Sequence, residues 1–276
     1  MIKRITRKII YYLISVDWIW ISINFLRNQK PNTIFSYRNK IIVDRILNYT
    51  NDHGILDGPF KNIMYYGIES INSANTPKLL GTYESELHET IENLISEEYQ
   101  NIVDIGCAEG YYAVGLAKRL KSAKVYAYDI STKARNMCAR LAQINEVNNR
   151  IHINEKFNIT FLSKIHCLGK NFIICDCEGA EREIFSKQDI SILAHWDILI
   201  ETHDFIKPGT TSYLRELFSK THKCKTIRSI SDRLKASTFS CKLFKENNIH
   251  IKEIILGEGR PNNMEWIFLK SLKNEF

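Results

Sequence analysis

The residues of this sequence that could do chemistry are acidic side chains, a histidine and a glycine-rich turn, and most of them follow short apolar runs. Such runs predict buried strands of a parallel sheet, and ligands of open parallel sheets bind at the carboxyl ends of the strands. A carboxylate is costly to bury without a partner, so several at one rim indicate a bound positive charge, organic or metallic. The candidates are Asp104, Asp129, Asp176, Glu178, Glu201, His203 and Asp204.

A glycine-rich turn joins the first predicted strand to a helical pattern. Residues 101–110 read NIVDIGCAEG, and Tyr111 to Leu120 have helical periodicity. The turn has neither the three-glycine spacing of a dinucleotide site nor the lysine of a phosphate-binding loop. Its small residues let a ligand approach the backbone closely. Asp104-x-Gly106-x-Ala108-x-Gly110 resembles the D-x-G-x-G-x-G turn of S-adenosylmethionine (SAM)-dependent methyltransferases, with Ala108 replacing the middle glycine.

The resemblance implies that two strand tips hold the polar ends of SAM. Asp104 would lie near the ammonium and sulfonium of the methionine end. Asp129 follows 25 residues later and would accept hydrogen bonds from the ribose diol. The alternative for Asp129 is a strand-end residue that caps the helix beginning at Ser131. The predicted cofactor-binding residues are Asp104, Gly106, Cys107, Ala108, Glu109, Gly110, Asp129, Ile130 and Asp176.

Hydrophobic periodicity predicts the elements that must position these residues. The strands are predicted at 101–105, 124–129, 150–154, 171–175, 197–200 and 264–269, and the helices at 41–47, 84–99, 111–120, 132–145 and 210–220. The turn at 154–157 lies where an adenine ring would stack in a methyltransferase. The resemblance implies an α/β, Rossmann-like class I methyltransferase fold, with a mostly parallel seven-stranded sheet and helices on both faces.

The chain divides into three predicted parts. Residues 1–34 form an N-terminal apolar and basic helical extension, 35–99 a helical cap region, and 100–276 the SAM-binding methyltransferase domain. In the cap, Tyr83, Glu84, Glu86 and His88 are either pocket residues or the solvated first turn of a helix.

Residues 1–30 contain an apolar run from Ile9 to Leu26, flanked by lysine and arginine. Asp17 in its middle would cost about 2.5–3.5 kcal/mol on membrane insertion, and no signal-peptide cleavage site follows. The segment is therefore either a helix that packs on the domain or on a second subunit, or a peripheral contact with the inner membrane face.

Composition excludes several function classes for the 276-residue chain. Its net charge of +7 comes from scattered lysine and arginine, without a zinc-finger, RRM or helix-turn-helix signature, so we expect no nucleic-acid partner. Its seven cysteines show no zinc-ligand spacing, which favours a reducing cytoplasm.

Two strand-end segments extend the resemblance to one family. Residues 176–181 read DCEGAE and residues 201–204 read ETHD. They resemble the D-x-E-G-A-E and E-x-H-D segments of FkbM-type methyltransferases, and the resemblance covers about 58–269. It implies O-methylation of a hydroxyl on a saccharide, glycolipid or other small acceptor.

Methyl transfer to a hydroxyl requires alignment of two reactants and removal of a proton. His203 is the predicted base because its ordinary pKa lies near neutrality, and Asp204 or Glu201 would orient it. Asp176 and Glu178 complete the predicted catalytic set, holding the acceptor or the SAM amine. No metal is favoured; the alternative is a divalent ion on Asp176, Glu201 and His203.

Other functions stay open at this point. The chain could methylate another small molecule or a nitrogen, or could be a non-catalytic module that binds SAM or a nucleoside. Arg260 precedes the last predicted strand and could reach the same rim, or could simply belong to the turn there.

Overall fold

The computed structural model describes residues 31–65, 70–71, 73–165, 169–240, 248–260 and 264–274. The predictions for residues 1–30, including membrane contact and subunit packing, lie outside this part of the chain. Within the described ranges, no helix is both long and apolar enough to cross a membrane.

The described strands form one seven-stranded sheet with the order β3-β2-β1-β4-β5-β7-β6. The first five strands pair in parallel, and β7 lies antiparallel between β5 and β6. The strands are β1 Asn101–Ile105, β2 Lys124–Tyr128, β3 Ile151–Asn154, β4 Asn171–Cys175, β5 Trp196–Thr202, β6 His222–Arg228 and β7 Glu265–Ser271.

Helices connect the strands and cover both faces of the sheet. They are α1 Pro31–His53, α2 Asn75–Leu80, α3 His88–Ser96, α4 Tyr111–Arg119, α5 Thr132–Ile144, α6 Glu181–Ile184, α7 Ile190–Leu193, α8 Thr210–Phe218, α9 Asp232–Thr238 and α10 Ile249–Leu256. Alternate side chains of each central strand point to opposite faces, so β1 contributes Ile102 to one hydrophobic cluster and Val103 to the other.

The chain order of the strands determines where a ligand can bind. The chain winds outward from β1 through β2 to β3 and then returns to place β4 on the other side of β1. This reversal leaves a crevice at the carboxyl ends of β1 and β4, which is where open α/β sheets bind their ligands. The observed sheet confirms the predicted Rossmann-like fold.

Several elements differ from the sequence predictions, and the helices α2, α6, α7, α9 and α10 were not predicted. Strand β6 was missed because its residues, HKCKTIR, are mostly polar; it is an edge strand whose lysines stay exposed, so it carries no buried apolar run. The helix predicted at 41–47 extends over Pro31–His53.

Candidate functional site

The glycine-rich turn brings backbone from two strand tips into direct contact. Gly106 has a φ of +83°, and a Cβ built on it would lie 1.7 Å from the carbonyl oxygen of Asp176. Only glycine fits so close an approach between the ends of β1 and β4. Ala108, at the middle glycine position, also has a positive φ of +46°. The turn therefore keeps its conformation despite the alanine.

Asp129 is fixed by backbone amides at the tip of β2. Its Oδ2 accepts a hydrogen bond from Ala108 N at 2.9 Å, and its Oδ1 accepts one from Ser131 N at 2.7 Å. The cap of α5 is Ser131, whose hydroxyl accepts a hydrogen bond from Ala134 N. Asp129 thus braces the glycine turn and still lines the cavity described below.

Asp104, on β1, is the most strongly perturbed acid near the turn. Its side chain is buried, and its Oδ2 accepts no hydrogen bond from the described residues. Burial, followed by the negative charge of Asp176, raises the pKa of Asp104 to about 8. A neighbouring cation would favour its ionised form, which is the expected property of a carboxylate that binds an ammonium group.

Glu109 does not line the cavity, although it lies in the turn. Its fully buried carboxylate accepts hydrogen bonds from the Tyr65 hydroxyl at 2.7 Å and from Ile71 N at 3.0 Å, and it pairs with Lys78. Burial opposes its ionisation, but Lys78 and these donors lower the pKa of Glu109. Glu109 therefore fastens the segment before α2 to the turn.

Some of the other predicted cofactor-binding residues line the cavity, and others stabilise the turn from outside it. Cys107 and Ile130 line the cavity, and 81% of the surface of Ile130 is exposed there. Gly110 lies outside the lining and caps α4 with a φ of +97°. We call Asp104, residues 106–110 and Asp129 the turn side of the rim.

The predicted catalytic residues meet on the other side, at the tips of β4 and β5. His203 Nδ1 donates to Glu181 Oε1 at 2.6 Å, and Gly179 N donates to the same oxygen at 3.0 Å. In the neutral tautomer that donates from Nδ1 to Glu181, Nε2 carries the lone pair. Nε2 lies 3.5 Å from Asp176 Oδ1 and 3.5 Å from Glu178 Oε2.

The partner of His203 differs from the sequence prediction. Glu181 occupies the orienting position, and Asp204 and Glu201 do not. Asp204 accepts hydrogen bonds from Gly209 N and Thr211 N at the start of α8. The sequence signal was available, since Glu181 ends the D-x-E-G-A-E segment, but only the folded turn places it under the imidazole.

The charge around His203 affects its protonation. Burial would lower the pKa of His203, but the hydrogen bond to Glu181 and the charges of Asp176 and Glu178 raise it above its usual value. Burial also raises the pKa of Asp176 to about 6. The group as a whole attracts a proton or another cation.

A divalent ion could be held by a different set from the one predicted. Ligand atoms of Asp176, Glu178 and His203 all lie within 4.8 Å of one another. Glu201 faces Arg260 instead, with its Oε2 3.8 Å from His203 Nε2. Carboxylate oxygens suit magnesium or manganese, and an imidazole suits zinc or iron.

Arg260 joins the cap to the sheet through buried ion pairs. Its Nη1 donates to Glu201 Oε1 at 2.7 Å, its Nε lies 3.1 Å from Glu258 Oε2, and its Nη2 pairs with Glu84 and donates to the Tyr83 hydroxyl at 3.1 Å. The three carboxylates are 1–3% exposed. Burial and then the charge of Asp176 raise the pKa of Glu201.

The cap residues predicted from the sequence contribute to this ion-pair network. Glu84 and Glu86 are buried, so they do not form a solvated helical turn. Glu86 lies 3.7 Å from Lys235, which also pairs with Glu258. Tyr83 lines the cavity, and His88 Nε2 lies 3.2 Å from its carbonyl oxygen. We call Asp176, Glu178, Glu181, Glu201, His203 and Arg260 the histidine side.

A cavity of about 1210 Å³ runs along the rim and joins the two sides. It is larger than a typical site for one small molecule, so it can hold two reactants. Asp129 and His203 follow strands three positions apart, about 14 Å at the usual strand spacing. Three residues of the predicted adenine turn, Glu155, Lys156 and Phe157, also line it.

Comparison with known proteins agrees with this geometry. A methyltransferase small domain model matches residues 87–167, from the start of α3 through β3. No curated protein sequence matches the chain.

Two solved structures are similar to the chain to different degrees. The METTL16 methyltransferase domain is 11% identical, with a TM-score of 0.50, over 84% of this chain and 80% of that one. An O-methyltransferase from Bacillus cereus, in complex with SAH, is 13% identical, with a TM-score of 0.43, over 65% of this chain and 78% of its own. The fold is similar to that of the METTL16 methyltransferase domain, and residues 87–167 match a methyltransferase domain model.

Proposed function

We propose that this SAM-dependent methyltransferase transfers the methyl group of SAM to a hydroxyl of a saccharide, a glycolipid or a related small acceptor. The observation that carries the proposal is the placement of His203, whose Nδ1 is bonded to Glu181 and whose Nε2 faces Asp176 and Glu178 at the cavity. The D-x-E-G-A-E and E-x-H-D segments, which resemble those of FkbM-type enzymes, supply these residues.

The turn side binds SAM in this proposal. Asp129 accepts hydrogen bonds from the ribose diol, and Asp104 faces the ammonium of the methionine end. Phe157 and the exposed side chain of Ile130 provide apolar surface for the adenine ring. The sulfonium then points along the cavity toward the histidine side.

The histidine side removes the acceptor proton. The acceptor oxygen attacks the methyl carbon while the carbon–sulfur bond breaks, leaving S-adenosylhomocysteine. The hydroxyl proton passes to His203 Nε2, and Glu181 stabilises the imidazolium that forms. A positioned base of this kind contributes about 10²–10⁴-fold in rate.

The test is product formation with methyl hexopyranosides as acceptors, measured as a mass gain of one methylene. We expect transfer by the wild type and its loss in His203→Ala, with SAM affinity retained. The matched control is His250→Ala, because His250 is 71% exposed and pairs only with Glu253 among the described residues. Transfer by His203→Ala at the wild-type rate would exclude His203 as the base.

A metal-assisted mechanism is tested with the same assay. Asp176, Glu178 and His203 can hold a divalent ion, but Nε2 cannot bind a metal and accept a proton at once. Loss of activity in EDTA that Mg²⁺ or Mn²⁺ restores would assign Nε2 to a metal. Unchanged activity in EDTA supports the base.

The acceptor class is tested by including a primary amine and a short RNA beside the sugars. Methylation of either in preference to the sugars would replace the saccharide proposal. SAM binding without any product would favour a non-catalytic module.

We place the enzyme in the cytoplasm, since the described cysteines, 107, 138, 175, 177 and 224, are all free thiols.

A further inference from the structure

Phe205 is an apolar side chain held in solvent beside the proposed base. It lines the mouth of the cavity, and 55% of its surface is exposed. Its ring centroid lies 5.7 Å from that of His203, with an angle of 55° between the rings. An aromatic ring exposed at this position beside the cavity is available to contact a ligand.

Hydrogen bonds hold the loop that carries Phe205 on both sides of that residue. The carbonyl oxygen of His203 accepts hydrogen bonds from Ile206 N at 3.0 Å and Lys207 N at 2.9 Å. Asp204 is held by the start of α8, where Gly209 N donates to it at 2.9 Å. Phe205 lies between two anchored neighbours and is already oriented before any ligand arrives.

Ile206, the residue after Phe205, is the second apolar side chain of this loop and has different contacts. Ile206 packs over the backbone of Gly179, since a Cβ at Gly179 would lie 2.9 Å from Ile206 Cγ2. It therefore supports the loop that carries Glu178. Ile206 is 50% exposed but lies outside the cavity lining, whereas Phe205 lines the cavity, where its ring can contact a ligand.

We propose that Phe205 is the platform on which the ring of the saccharide acceptor packs; this rests on the proposed function. A pyranose presents C–H groups on its face and hydroxyls around its edge. The phenyl ring covers the C–H face, and the carboxylates of Asp176 and Glu178 accept hydrogen bonds from the edge. This orientation brings one hydroxyl to His203 Nε2.

The proposal makes Phe205 a determinant of acceptor affinity and leaves SAM binding to the turn side. Loss of about 50 Å² of apolar contact corresponds to a five- to tenfold change in affinity, about the effect expected for truncation of the ring. Replacement by another aromatic residue should restore it.

The experiment compares wild type, Phe205→Ala and Phe205→Tyr with the methyl hexopyranoside that the wild type methylates best. We expect Phe205→Ala to raise the acceptor KM about five- to tenfold, with the SAM KM unchanged and Phe205→Tyr close to wild type. The control is Ile254→Ala, because Ile254 is 60% exposed and lies on α10, outside the cavity lining.

Folding is not at risk, because the substituted ring is exposed; thermal unfolding of the variants checks this. An acceptor KM for Phe205→Ala within about twofold of the wild type overturns the platform while leaving the proposed function intact. A wild type that methylates none of the sugars overturns the proposed function and this inference with it.

Discussion

The turn side and the histidine side of the rim are built by different means. On the turn side, Asp129 is held by the amides of Ala108 and Ser131, so the geometry comes from backbone close in sequence. On the histidine side, the positions depend on side-chain pairs between distant segments. Arg260 reaches Glu84 across 176 residues and Glu201 across 59.

The difference suggests how each half responds to substitution. A site made of backbone amides tolerates loss of a side chain elsewhere, because the turn conformation survives. A site made of buried ion pairs loses its geometry when one partner is removed, since the remaining charges are left uncompensated. The following predictions are ordered from the largest expected effect to the smallest.

The largest effect is expected for Arg260→Met. It leaves Glu84 and Glu201 buried without their cation, while Glu258 keeps its pair with Lys235; the loss costs about 3–5 kcal/mol in the free energy of unfolding. Urea denaturation measures this. The matched control is Arg228→Met, whose side chain is 85% exposed beside Glu265 and should change stability little. Equal stability of the two variants would contradict the role given to the buried pairs.

Glu181→Gln should lower kcat by at least about a hundredfold and leave SAM affinity unchanged, because it loses the charge that stabilises the His203 imidazolium. Steady-state kinetics and calorimetry separate the two quantities. Asp204→Asn is the matched control. Asp204 follows His203 directly in sequence, but its carboxylate accepts hydrogen bonds from the start of α8 instead of the imidazole. A larger kcat loss in Asp204→Asn would return the orienting role to Asp204.

Asp129→Ala should weaken SAM binding at least about tenfold, because hydrogen bonds to a charged acceptor contribute roughly 1.5–3 kcal/mol each. At saturating SAM, kcat should stay near the wild-type value. Calorimetry gives the affinity, with Glu155→Ala as the control: this carboxylate is 73% exposed and also lines the cavity. Unchanged affinity in Asp129→Ala would remove Asp129 from the site.

The smallest effect is a pH dependence on the turn side. The pKa of Asp104 is raised to about 8, so the acid is protonated and neutral at lower pH and ionised above it. SAM binding should tighten as pH rises toward 8, by at most about tenfold per unit, and should release a proton. Calorimetry in buffers of different ionisation enthalpy detects the release, which Asp104→Asn should abolish.

The raised pKa of Asp104 also makes the stability of the folded protein depend on pH, and it determines the direction of that dependence. Between its unfolded pKa near 4 and about 8, the folded protein binds a proton at Asp104 that the unfolded chain does not. The contribution of Asp104 to stability is therefore present at low pH and is lost as pH rises through about 8. SAM should offset this loss, because its positive charge favours the ionised carboxylate.

The two sides also differed in how far the sequence predicted them. Asp104, Gly106, Ala108 and Asp129 were predicted with their positions at strand tips, because each lies within a few residues of a strong apolar run. The residue that orients His203 was not predicted. Asp204 and Glu201 are nearer to His203 in sequence than Glu181, and Glu181 reaches the imidazole only through the turn after β4. Glu109, in turn, was predicted to bind SAM and instead anchors the cap segment.

What the sequence determined by itself is the five parallel strands and β7, the helices that follow β1, β2 and β5, the tight turn after β1 and the row of acids at one rim. These follow from local patterns: apolar runs, helical periodicity and the small residues that a close backbone approach requires. The tertiary structure alone decided which acids face cations, which histidine nitrogen is free and which aromatic ring stays exposed. Those properties depend on burial and on charges brought together from distant segments, and a linear pattern carries no information about either.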